Sequence, residues 1–204
     1  IYWRQPLWNV KLILHLTHLL FSVLDMDVFE AVQERKSIRA YQDTPVPRKK
    51  LERILEAGRL APSARNIEPW HFIVVTSSEK RKALSKGLYA KFLSQAPVVI
   101  VVLGDKKASV DWYAVDTSLA LENMVLVAVN EGLGTCIVGS FEEADVKTLL
   151  KVAENFEVIA MIAIGYPKEK IDLSNKLLRL VRTRKFITEV ASEEEYGKAF
   201  VPQK

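Results

Sequence analysis

"APSARNIEPWHFIVV", residues 61–75, is the stretch on which the reading of the chain turns. An apolar-periodic segment, Arg48 to Leu60, runs into it with Leu51, Ile54, Leu55 and Leu60 as its stripe, and predicts a helix. Ala61, Pro62, Ser63 and Ala64 are small or turn-forming, so the helix ends and the backbone opens to close approach. Asn66 adds an amide that donates and accepts at once. Pro69 and Trp70 then lead into "WHFIVVT", whose β-branched and aromatic content predicts a strand. A turn of this kind lets a flat ligand lie against the main chain.

Outward from this turn the chain alternates helices and strands. Asp27 is placed to N-cap a first helix carrying Val28, Phe29, Val32 and Ile38 on one side. Pro45 and Pro47 separate it from the Arg48–Leu60 helix. Downstream, Glu79 to Leu93 is expected to be helical, with an interruption at Gly87. "APVVIVVLGD" is a continuous apolar run, as expected of a strand covered on both faces. Asp111 to Glu131 is a long helix, apolar nearly all round from Leu119 through Val129, which suits a core or a subunit interface. Gly132 closes it. "GTCIVG" is a short strand, Glu142 to Glu154 a helix, and "VIAMIAIGYP" a second buried strand. Together these imply an α+β domain, a sheet flanked by helices.

With 204 residues the chain is long enough for one domain and its appendages. The single cysteine, Cys136, excludes an internal disulfide framework and agrees with a reducing, cytoplasmic setting. The net charge of +4 suits an anionic ligand. Its lysines and arginines are dispersed among acids, which argues against nucleic acid as a partner. Residues 1–26 are expected to lie outside the core fold. The apolar run Leu12 to Leu24 is too short for a membrane span of about 20 residues, so no stable membrane insertion is expected. A surface-lying amphipathic helix is the alternative for this segment. His15 and His18 alone do not make a metal site.

A second block, "RKSIR", Arg35 to Arg39, places Arg35, Ser37 and Arg39 alternately. On a helix they would fan out; on an extended segment they face one side. Guanidinium forks and a hydroxyl would there suit a phosphate. A third block, "GLGTCIVG", Gly132 to Gly139, joins the long helix to a short strand and a second glycine.

These blocks, in this order, resemble the nitroreductase family of FMN-dependent oxidoreductases, whose pattern has an R-x-S-x-R-like segment, then P-S-x-x-N-x-x-P-W-x-F, then G-L-G-T-x-x-x-G. The resemblance covers roughly Asp27 to Pro167; Glu68 departs from it, standing where glutamine is common. It implies a nitroreductase-like mixed sheet in a single FMN-binding domain over 27–204, with a core over 27–167 and a C-terminal extension over 168–204. It also implies a homodimer with FMN at the interface, where the long helix and the tail would pack. Arg35, Lys36 and Ser37 would meet the FMN phosphate, and Arg39 the N1/O2 edge of the ring. Pro62, Ser63 and Asn66 would lie beside the isoalloxazine, where the Asn66 amide suits the imide edge. Val138, Gly139 and Ser140 would form the turn facing N5. Arg182 and Arg184, in "RTR" of the basic tail, would close on the phosphate. The implied activity is ping-pong hydride transfer from NADH or NADPH to a nitroaromatic, quinone or similar small acceptor. The flavin carries the chemistry, so neither a catalytic side chain nor a metal is expected. A specialised dehalogenase or dehydrogenase of the same fold, and a flavin-binding module without turnover, remain as alternatives.

Overall fold

The computed structural model describes residues 26–87, 89–168 and 184–202. They fall into two compact units, Ile1–Lys168 and Glu169–Lys204. The first holds four strands: β1 (Trp70–Val75), β2 (Val98–Asp105), β3 (Gly134–Val138) and β4 (Phe156–Gly165). Their order is β1-β2-β4-β3, with every neighbouring pair antiparallel. An isolated bridge, outside these strands, pairs Ser37 in parallel with Thr135 at the outer edge of β3.

Both faces of the sheet are covered. β2 is buried along Val98–Gly104, because its alternate side chains feed two cores. Val99, Val101 and Leu103 pack with Leu84, Phe92, Cys136, Val146 and Met161 on one face. Val98, Ile100 and Val102 pack with Ile54, Leu121, Met124, Val125 and Ile162 on the other. The second face is capped by α2 (Arg48–Arg59) and α4 (Tyr113–Asn130), the first by α3 (Ser78–Leu84) and α5 (Glu143–Leu150). Gly58 lets α2 and α4 come close: a Cβ there would stand 2.9 Å from Met124 Cγ. At the C-terminal end of α4, Gly132 takes φ +74°, a conformation that glycine adopts without steric cost. Glu131 receives Arg53 at 2.7 Å and Lys50 at 3.9 Å, tying α2 to the same end.

Several elements differ from the sequence expectations. α1 (Val28–Glu34) stops before Arg35, so Ile38 belongs to the extended segment beyond it. The expected helix over Glu79–Leu93 is two pieces, α3 and a 3₁₀ turn at Lys91–Ser94. Gly87 between them lies so close to the main chain that a Cβ would stand 2.3 Å from the Ser140 carbonyl oxygen. Leu60 is exposed rather than part of the α2 stripe, since the helix has ended. The helix expected over Glu142–Glu154 stops at Leu150, where Lys151 turns left-handed at φ 56°.

In the second unit a short helix, α6 (Ile187–Val190), is followed by a bridge between Ser192 and Ala199. Phe186, Val190, Tyr196 and Val201 are exposed there.

Candidate active site

The "RKSIR" block is an extended strand segment. Arg35 caps α1 with φ −56°, ψ 121°, and the chain leaves the helix at that residue. The Ile38 N–H then donates to the Thr135 carbonyl at 2.8 Å, beside the Ser37–Thr135 bridge. Further on, Gln42 N–H donates to Tyr166 O at 2.9 Å and Lys168 N–H to Ala40 O at 3.0 Å. The block is therefore stitched to the start of β3 and then to the chain leaving β4. Tyr41 fixes its far side: the buried phenol donates to Ile38 O at 2.6 Å. Burial pushes that hydroxyl's pKa well up, so it stays a donor at neutral pH.

Gly134, inside the third block, is what admits this segment. A Cβ there would lie 2.7 Å from Ile38 Cγ1 and 2.9 Å from Ile38 Cβ. Two motifs distant in sequence thus meet through a missing side chain.

Three side chains of the segment act on one neighbour, Cys136. Cys136, 3 % exposed in β3, has its thiol pKa pushed up by burial. The Arg39 charge, a hydrogen bond from Ser37 and the Arg35 charge work against that burial. Arg35, Ser37 and Arg39 therefore all lie within electrostatic reach of one sulfur atom. The Arg39 guanidinium is shelved over the Phe92 ring, 5.9 Å from its centroid. Lys36 is exposed. Beyond Cys136 come Val138, buried, Gly139, exposed, and Ser140, half-buried. A Cβ on Gly139 would meet no atom within 4 Å, so there is open space beside this backbone. Cys136 itself is a packed small side chain. The native protein is expected to react with Ellman's reagent far more slowly than the chain unfolded in guanidinium, as followed by absorbance.

The "PSARNIEP" turn is built differently. Arg65, Asn66 and Glu68 all have positive φ, at 55°, 54° and 54°. Asparagine tolerates this region; for arginine and glutamate it costs on the order of 1–3 kcal/mol each. Such strain persists only where surroundings impose it. Here the Ser63 hydroxyl accepts from Glu68 N–H at 2.9 Å, and Asn66 Nδ2 donates to Glu68 Oε1 at 3.2 Å. Pro62 is exposed and Ser63 half-buried. Glu68, the departure from the family pattern, is thus engaged by the asparagine of that pattern. From outside the turn, Ala64 N–H donates to the Asp116 carboxylate on α4, at 3.2 Å from each oxygen. Sequence reasoning passed over Asp116; its only signal was an acid in the first turn of a largely apolar helix that also carries Glu122.

The structure brings the "RKSIR" and "GLGTCIVG" blocks together but not the "PSARNIEP" turn. Trp70, which follows the turn, pairs with Gly104 at one end of β2. Thr135, beside Ser37, pairs with Ile164, which pairs with Val98 at the other end. β1 and β3 are moreover the two edges of the sheet. The turn and the arginine segment therefore occupy diagonal corners, at opposite ends of α4, a helix of 18 residues and so about 27 Å long. Of the tail pair, Arg182 lies outside the described residues, and Arg184 is exposed in the second unit. Among the described residues no cluster of His, Cys, Asp or Glu is arranged to hold a metal. Nor is any helix among them long and apolar enough to cross a membrane.

The donor set suits a flavin mononucleotide. Arg35 and Ser37 carry the donors a terminal phosphate would take, Arg39 is a cation suited to a ring edge, and the open backbone at Gly139 leaves room for a flat ring.

Comparison with known proteins agrees. The nitroreductase family model matches residues 32–87 and 82–166. A candidate NADH dehydrogenase/NAD(P)H nitroreductase of Archaeoglobus fulgidus is 36% identical over 154 residues, covering 72% of this chain and 88% of that protein. One from Methanothermobacter thermautotrophicus is 34% identical over 170 residues, covering 80% and 89%. Among solved structures, an FMN-dependent nitroreductase from Clostridium difficile superposes with a TM-score of 0.64 at 33% identity, covering 76% of this chain and 98% of that one. Three motif blocks, the sheet that joins two of them, and these similarities lead to one statement: the chain belongs to the nitroreductase family.

Proposed function

We propose that this protein is an FMN-dependent oxidoreductase that passes hydride from NADH or NADPH to a small oxidised acceptor, a nitroaromatic, a quinone or a similar compound. The observation that carries this reading is the seating of "RKSIR" on β3, which sets Arg35, Ser37 and Arg39 alternately along one extended segment beside the "GLGTCIVG" block. Bound FMN would supply the hydride chemistry at its N5. The protein's own residues bind and tune. Arg35 and Ser37, with Lys36 adding charge, hold the phosphate. Arg39, kept in place by the Phe92 face, presents a cation to the N1/O2 edge, where negative charge develops on reduction. The Val138–Ser140 turn offers backbone N–H toward N5.

The diagonal placement of the blocks favours a homodimer in which the Ser63–Asn66 turn of one subunit completes the site of the other. Val28 and Phe29 of α1 are 73% and 65% exposed, and Trp112, Val115 and Leu119, at and within the start of α4, are also exposed. The two helices are in contact, and the exposed apolar side chains on each suit burial against a second copy. Residues 27–204 would then form one FMN-binding domain, with residues 1–26 outside it and the basic tail, Arg182 and Arg184, reaching toward the phosphate.

The purified protein is expected to be yellow and to release FMN rather than FAD. NADH or NADPH should bleach its absorbance under anaerobic conditions. A colourless protein that FMN cannot reconstitute would refute the proposal.

A further inference from the structure

We infer that Asp116 is a positioning residue for the flavin site: it fixes the Ser63–Asn66 turn and so sets where that turn stands against the ring. This rests on the FMN reading above and extends it to a side chain outside every motif.

Asp116 is 3 % exposed, in the first turn of α4. Among the described residues no lysine or arginine forms an ion pair with it. A buried carboxylate without a cation is a poor choice for stability; an apolar residue there would hold the helix at least as well. What the carboxylate does instead is accept the Ala64 N–H, with both oxygens at 3.2 Å. Among the described residues it is the only side chain outside residues 61–69 that hydrogen-bonds this turn. The bond sits at the entry to the turn, directly before the strained residues Arg65, Asn66 and Glu68. At the exit, the Pro69 carbonyl accepts from Asp105 N–H at 2.7 Å. The strained loop is thus clamped at two points, one to the sheet and one to Asp116. Ala61 N–H also donates to Gly58 O at 3.2 Å where α2 ends, upstream of the strained residues; the turn's other hydrogen bonds are internal and would move with it. Release of the Asp116 clamp lets the left-handed residues relax and carries Ser63 and Asn66 with them.

The test compares wild type with Asp116→Ala, Asp116→Asn and Ala64→Pro, titrating each full-length apoprotein with FMN by fluorescence quenching and melting each apoprotein separately. Ala64→Pro deletes the donor without touching α4. The extended conformation of Ser63, φ −142° and ψ 155°, accepts a following proline. Asp116→Ala and Ala64→Pro are each expected to raise the FMN dissociation constant by roughly tenfold. Asp116→Asn, whose amide oxygen still accepts, should stay closer to wild type. A dissociation constant within about twofold of wild type in both Asp116→Ala and Ala64→Pro, with only the melting temperature lowered, overturns the positioning role. If Asp116→Ala fails to fold, Ala64→Pro decides by the same criterion. Wild type that binds no FMN overturns the cofactor reading, and this inference falls with it.

Discussion

Replacing Arg35 by alanine is expected to raise the FMN dissociation constant by roughly ten- to a hundredfold, the loss of a charge-assisted contact worth about 1.5–3 kcal/mol. Arg39→Ala should behave differently. Its guanidinium rests over Phe92 and faces the ring edge in the proposed site, so its charge matters more to the reduced than to the oxidised flavin. The expected result is a modest loss of affinity and a midpoint potential lowered by several tens of millivolts, since about 30 mV in a two-electron couple corresponds to about 1.4 kcal/mol. Reduction by NADH or NADPH should slow accordingly. Isothermal titration and a potentiometric titration of both variants check this. If both sit within about 0.5 kcal/mol of wild type in affinity, with potential unchanged, the segment is a solvated strand end and not a phosphate site.

Gly134→Ala is expected to damage the same site without removing any of its charges. The added Cβ would stand 2.7 to 3.0 Å from three Ile38 side-chain atoms. One of those is Ile38 Cβ itself, which no rotamer change can move. Either β3 shifts on β4 or the arginine segment lifts from β3. Overpacking of this kind costs about 1–3 kcal/mol. Lifting would break the 2.8 Å bond from Ile38 N–H to Thr135 O and disperse Arg35, Ser37 and Arg39. FMN affinity should therefore fall along with the denaturant midpoint. Ile38→Ala, added to Gly134→Ala, removes the closest atom, Cγ1, and should restore part of both. Unchanged FMN affinity in Gly134→Ala would mean that the contact does not hold the segment in place.

Much of this architecture was legible in the residues. The alternation of Arg35, Ser37 and Arg39 left a helix end and an extended segment both open, and Ile38 was expected on the first helix; α1 ends at Glu34. The unbroken apolar run of β2 implied cover on both faces, and two cores lie against it. The long helix and its glycine closure at Gly132 also followed from local chemistry. What was hidden depends on contacts between distant residues. Gly87 read as a weak point in a helix, but the Ser140 carbonyl pressed against it is unseen until the chain folds. Asp116 read as one acid in a largely apolar helix, because its partner is a main-chain N–H, which every residue but proline carries. The placement of the motif blocks at opposite corners of the sheet was hidden most deeply. Motif order in sequence says nothing of strand order in space.

The Ser37–Thr135 bridge also bears on how the site comes into being. It joins two points far apart in the chain, and among the described strands β3 pairs only with β4, which is made later still. Closing so long a loop carries an entropic cost that grows slowly with length but must be met before the contact returns anything. A nascent or proteolysed fragment that lacks β4 is therefore expected not to present the seated arginine segment, however much of the motif it contains. The proposed phosphate site would thus be a non-local product of folding, and occupancy by a ligand there would favour chains whose sheet is complete.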